Sequence, residues 1–326
     1  MVVCTLAAAG LALGACGPSA VQTGATRGTV AYVATLAGRA DPGDTLSVFD
    51  TATSTALPDI TTGTLPSAMA STPDGTRLLV ADKGSDQLTE VDTADGSVVA
   101  RVTVGVEPDA VAVTPDGTTA LVANFIDGTV TPVALPSMHA GRPVPVGKQP
   151  VAIAITPDGS TALVADFGDG TVTPLALPSL TPGTPIDAGT GPVAVAIAPD
   201  GTTALVADFQ TSSATPIRLA HLTTLPSIPL AGNPTDIALS PTGATAYLSG
   251  GDSVLPVNLT TLQAGAPIPV GAPAEALAVT ANGLTAWVCT ATGRVVPVNL
   301  VNGSLAGSVE VGGQPTAIVI PPAHGG

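Results

Sequence analysis

One stretch of sequence returns seven times in this chain, and its period leaves few folds open. The clearest copies are DAVAVTPDGTTALVANFIDGTVTPVALP, from Asp109 to Pro136, and VAIAITPDGSTALVADFGDGTVTPLALP, from Val151 to Pro178. The turn proline marks the beat at Pro73, Pro115, Pro157, Pro199 and Pro241, with Ala281 and Pro322 in the same role. The steps are 42, 42, 42, 42, 40 and 41 residues. A period near 40 built from short strands and turns is the signature of a β-propeller. The expected fold is therefore all-β: seven blades of four strands each.

Each repeat parses into strands a to d, counted from the axis outward. Strand a is the apolar run before the turn, as at Ala110–Thr114, Ala152–Thr156, Ala194–Ala198 and Asp236–Ser240. Strand b follows as TALVAN or TALVAD at Thr119–Asn124, Thr161–Asp166 and Thr203–Asp208. Strand c reads GTVTPVAL, and strand d is the short GRPVPVG-like segment before the next repeat. Pro-Asp-Gly between two apolar runs is a turn with a mechanism, because Pro presets φ and Gly accepts positive φ. The first b strand, near Val30, has no a strand before it, and the last a strand, Pro315–Ile320, has no b strand after it. These two leftovers should pair and close the ring, which removes unpaired edges from the inner sheets.

With 45% hydrophobic and 2% aromatic residues, the core must be built from Ala, Val, Leu, Ile and Thr. Strand a shows how. Ala110 and Ala112 point one way and Val111 and Val113 the other, a pattern repeated by Ala152/Ala154 and Ile153/Ile155. Each blade would set a small face against its neighbour's branched face. From blade three on, strand c carries a recurring proline: Pro132, Pro174, Pro216, Pro256 and Pro297. A proline cannot donate to a ladder. Its missing N–H is expected to face strand d, leaving that strand short or loosely paired.

The first residues are a different kind of text. Val2 to Leu13 is apolar and too short to span a bilayer as a helix, which fits the central region of an export signal. No Lys or Arg precedes it, a departure from the usual basic start. LGAC at Leu13–Cys16 resembles the lipobox of bacterial lipoproteins, which implies cleavage before Cys16 and lipidation of that residue. On this reading residues 1–15 are the signal, 16–28 the lipidated Cys and tether, 29–322 the propeller and 323–326 a tail. The expected location is extracytoplasmic, anchored to the membrane through the lipid on Cys16. After these losses Cys289 is the remaining thiol, with nothing in the chain to pair with.

The strand b texts AYVAT (Ala31–Thr35), LLVAD (Leu78–Asp82), ALVAN (Ala120–Asn124), ALVAD (Ala162–Asp166 and Ala204–Asp208), AYLSG and AWVCT carry a resemblance. So do the strands LSVFDTAT (Leu46–Thr53) and LTEVDTADGSV (Leu88–Val98). The chain resembles the YVTN-type (YncE-like) β-propeller repeat family of extracytoplasmic proteins. The resemblance covers nearly everything after the tether. It implies the propeller fold and an envelope setting, and it names no activity.

The charge balance narrows the partners. The formal net charge is −15, and the 9 basic residues are scattered. Nucleic-acid binding needs clustered Lys and Arg, so no nucleic acid is expected. The b–c loops DKGSD, NFIDG, DFGDG and DFQTS place Asp82, Asn124, Asp166 and Asp208 in an arc, with Phe125, Phe167 and Phe209 beside three of them. Two readings stand: a binding surface of aromatics and carboxylates on blades two to five, or Asp and Asn capping the strand ends with Phe covering the blade. The insertion Leu36–Asp44 would adjoin that face. Asp109, Asp236 and Glu275 fall near the start of strand a, at the channel mouth. Asp166 and Asp169 form a thin Ca²⁺ candidate lacking further acidic ligands, and no cofactor is expected.

For catalysis, no His lies in an a strand or a b–c loop; His139 and His221 sit in c–d connections and His324 in the tail. No GxSxG or SxxK pattern is present, and a hydroxyl without a base is not a nucleophile. The sequence therefore favours a monomeric, non-catalytic binding or interaction module, with an unidentified envelope protein or surface ligand as partner. A hydrolase or lyase (lactonase-like) with its site at the channel mouth is the alternative, and a passive envelope component the third possibility.

Overall fold

The computed structural model describes residues 30–36 and 45–322. The segments read above as signal, lipidated Cys16 and tether, the insertion beyond Leu36 and the tail lie outside them. Seven antiparallel sheets follow one another along the described chain, and none of the described segments is an α-helix. Blade three is typical: strand a at Pro108–Val113, b at Thr119–Asn124, c at Thr129–Ala134 and a broken d at His139–Ala140 and Val144–Pro145.

The ring closes as the unpaired strands demand. Gln314–Val319 lies beside Val30–Leu36, so the first blade reads d, c, b, a with its innermost strand taken from the C-terminal end. Phe49 and Trp287 meet across the seam between the first and last blades, with ring centroids 4.9 Å apart. The turns also form a ring. A Cβ placed on Gly117 would lie 3.5 Å from Pro73 Cδ of the preceding turn, and one on Gly75 would lie 2.3 Å from the Pro322 carbonyl oxygen. Pro322 thus takes the preceding turn's place for blade two, although no b strand follows it.

Between blades, small faces meet branched ones. Ala68 and Ala70 share a cluster with Val111 and Val113, and Ala110 and Ala112 share one with Ile153 and Ile155. Ala194 and Ala196 face Ile237 in the same manner. This is why a propeller can close with few rings: each alanine layer lets the neighbouring sheet approach, and each β-branched layer fills the gap. Burying one such Val or Ile is worth about 1.5–3 kcal/mol.

The strand c proline splits the rim. Pro132 pairs with Leu121 on its inner side, but outside it strand d comes in two pieces. Ala140 and His139 pair with Val133 and Ala134, while Pro145 and Val144 pair with Thr129 and Val130. Opposite Pro132 the ladder is replaced by one bond, from the Gly141 N–H to the Pro132 carbonyl at 2.7 Å. Blades four to six break identically. Blades one and two, which lack that proline, keep continuous outer strands at Thr55–Thr61 and Val98–Thr103. A broken rim offers no long edge for another chain to extend.

Candidate functional site

The b–c and d–a connections lie on one face and are tied to each other. The Phe125 N–H donates to the Glu107 carbonyl at 2.9 Å, Phe167 to Gln149 at 3.0 Å and Phe209 to Gly191 at 3.0 Å. Two layers of side chains result.

The inner layer is the row Asp82, Asn124, Asp166 and Asp208, the last residues of strand b in blades two to five. All four are 0% exposed. They point inward because a threonine waits two rungs along strand c: Thr89, Thr131, Thr173 and Thr215, on the same 42-residue step. The Thr173 hydroxyl donates to Asp166 Oδ2 at 2.6 Å, Thr215 to Asp208 Oδ2 at 2.6 Å and Thr89 to Asp82 Oδ2 at 2.5 Å. A glycine of the d–a loop forms the lid. Its N–H donates to Asn124 Oδ1 from Gly105 at 3.0 Å and to Asp166 Oδ1 from Gly147 at 3.1 Å. A Cβ on Gly105 or Gly147 would fall 2.5 Å from the Cγ beneath it, so only glycine closes over the socket. Burial, partly opposed by the threonine hydroxyls, raises Asp82 and Asp166 to about 6 and Asp208 to about 7.

The outer layer is apolar and reaches solvent. Phe125, Phe167 and Phe209 are half-buried, the last two packed on the core between blades five and six. Ile126 beside Phe125 is 59% exposed, and Val106 and Leu65 in the adjoining d–a loops are also exposed. Lys83 organises this end of the face. Its Nζ lies 4.7 Å from the Phe125 ring centroid, 3.1 Å from Asp109 Oδ1 and 3.6 Å from Glu107 Oε2.

The channel-mouth acids occupy a repeated irregularity. In every blade one residue near the start of strand a is extra to the ladder, as where the register slips between Pro108 and Ala110 and leaves out Asp109. Three blades place a hydroxyl there that ties one blade to the next: Ser67 to the Pro108 carbonyl at 2.8 Å, Thr235 to Ala274 at 3.0 Å and Thr316 to Pro66 at 3.2 Å. Asp109 and Glu275 stand at this same position in blades three and seven. Asp109 is buried and raised to about 6 by desolvation, against the pull of Lys83. Glu275 is half-buried, and burial raises it too. Asp236 sits one residue further, where other blades carry Ala. It is buried, and its carboxyl accepts the Ile237 N–H at 2.8 Å and the Leu277 N–H of the next blade at 3.0 Å. Desolvation brings Asp236 to about 7.

The calcium candidate is spread between the layers. Asp166 turns into its socket, whereas Asp169 accepts the Lys148 N–H at 2.9 Å and pairs with Lys148 Nζ at 3.2 Å. Among the described residues, no three His, Cys, Asp or Glu side chains are grouped to hold a metal ion. Sequence reasoning missed Lys83, Ile126, the threonine row and the glycine lids. The last two carried a signal, because Thr89–Thr131–Thr173–Thr215 and Gly63–Gly105–Gly147–Gly189 keep the same step as the acids they serve.

Fold and sockets together define a closed seven-bladed propeller whose loop face is latched blade by blade. The similar solved structures agree on the fold. A functionally unknown protein from Desulfotomaculum acetoxidans superposes with a TM-score of 0.79 at 20% identity, covering 90% of this chain and 100% of that one. Hydrazine synthase of Kuenenia stuttgartiensis gives 0.71 at 22% identity over 77% of this chain and 88% of that chain. The dihydro-heme d1 dehydrogenase NirN gives 0.66 at 14% identity over 93% and 77%. A model of the histone H3 K4-specific methyltransferase SET7 N-terminal region matches residues 105–142, 149–183 and 189–228, fewer than half of the chain. Each window spans strands a to c of one blade and the first piece of its strand d. No curated protein matches.

Proposed function

We propose that this chain is a lipid-anchored, extracytoplasmic binding module whose contact surface is the loop face of blades two to five. The observation that carries the reading is the division of that face into two layers. The polar row is buried inside the sockets, which leaves exposed Ile126 and half-buried Phe125, Phe167 and Phe209 as the apolar groups of the loop face. Exposed apolar groups gathered on one face mark a contact site more often than scattered ones do. The signal-like first residues, the lipobox-like LGAC and the resemblance to YVTN-type repeats support the envelope setting, and the partner expected there is a protein or surface ligand. The test is a cross-linking pull-down from native membranes, comparing wild type with Phe125→Ala/Phe167→Ala/Phe209→Ala. One protein recovered by wild type and lost by the folded triple variant supports the surface; equal recovery by both sinks it.

A second reading has one observation in its favour. Glu275 is a half-buried carboxyl at the channel mouth, raised by burial, and a raised carboxyl in a cleft is a proton-transfer candidate. A hydrolase or lyase there would lose turnover of a lactone or ester panel in Glu275→Gln. No turnover by the wild-type protein would retire this reading.

A further inference from the structure

The four sockets are one geometry with two fillings, and the difference exposes a property of the whole face. In blade three the occupant is Asn124, and every polar atom of it is used. Oδ1 accepts the Gly105 N–H, and Nδ2 donates to Thr129 Oγ1 at 3.0 Å and Thr131 Oγ1 at 2.9 Å. In blades two and five the occupant is a carboxylate, and it is not fully used. Asp82 Oδ1 and Asp208 Oδ1 are buried without a hydrogen-bond partner. The Gly63 N–H and the Thr62 hydroxyl approach Asp82, but neither reaches bonding geometry at Oδ1. In blade five the lid itself has turned: Gly189 adopts φ +93° and aims its N–H at Asp187 Oδ1, 3.4 Å away. Asp166 alone among the carboxylates keeps both oxygens engaged.

We infer that these sockets are built for a neutral occupant, so that the loop face of the propeller is locked at mildly acidic pH and loosened as the pH rises to neutrality. The charged groups facing each socket are few. Asp82 is faced by Arg101, Asp166 by Asp169 of its own loop, and Asp208 by Asp187 of strand d. Asp127 lies beside the Asn124 socket, across Gly105. A cation thus helps hold the charged form only in blade two. Each aspartate titrates higher folded than unfolded. Its stabilising contribution is therefore complete below about pH 3.8 and disappears as the pH climbs through 6 to 7. Asp109 and Asp236 act in the same direction, so substitution within the sockets is what isolates the effect.

The experiment is a thermal-unfolding series at pH 5 and pH 8 on the whole chain and on two reciprocal variants. Asp208→Asn should raise the midpoint at pH 8 and shrink the gap between the two pH values. Asn124→Asp should fold with a near wild-type midpoint at pH 5 and lose several degrees at pH 8, widening the gap. Wild type should itself be the more heat-resistant at pH 5. The inference is overturned if Asp208→Asn lowers the midpoint at pH 8, or if Asn124→Asp shifts both pH values equally.

Discussion

Blade three and blade five carry the same text from the PDG turn through strand b except at its last residue, and they hold their loop faces differently. In blade three an amide fills the socket and a glycine N–H closes over it. In blade five a carboxylate fills it, the glycine lid is rotated, and one oxygen stays unpartnered. The repeated polar residue is thus better understood as a plug than as a row of reactive groups. What varies from blade to blade is how well the plug fits, and its solvent-side neighbour is the group a partner can touch.

The hardest way to break this comparison is to remove the lid's room. Gly105→Ala or Gly147→Ala would set a methyl 2.5 Å from the Cγ of Asn124 or Asp166. The loop must then lift off a buried polar side chain, at a cost of about 3 kcal/mol, read in a urea denaturation midpoint. A small loss would mean that the lids are not closed in solution. The threonines sharpen the contrast. Thr215→Val takes the 2.6 Å donor from a buried carboxylate and should cost about 1.5–3 kcal/mol at pH 8. Thr131→Val leaves Asn124 its bond to Thr129 and should cost only about 1 kcal/mol, with no dependence on pH. Least of all, Ile126→Asp should change stability by under about 0.5 kcal/mol, since its side chain already faces solvent.

Much of this molecule was legible before any coordinates. Strand b ends at Asn124, Asp166 and Asp208 as read from the repeat, the C-terminal strand pairs with Val30–Leu36, and the strand c proline breaks strand d at its own position. These features follow from local chemistry repeated at a fixed step. The direction of the last side chain in strand b was not legible, since period-two alternation is lost once a strand runs into a loop. Which lid glycine turns was equally hidden: AGTGP in blade five and VGKQP in blade four differ at three positions, and of their two lid glycines, Gly189 and Gly147, only Gly189 takes a positive φ. Lys83 escaped because its partners Glu107, Asp109 and Phe125 come from the neighbouring blade rather than its own.

The central claim is a division of labour on one face, with plugs beneath and contacts above. Its most direct test is to compare Asp208→Asn with Ile126→Asp in the same cross-linking pull-down, both variants first shown to be folded. The division predicts that the plug variant keeps the wild-type partner and the surface variant loses it. Loss of the partner by Asp208→Asn, with Ile126→Asp unaffected, would place recognition in the buried carboxylates and contradict the account.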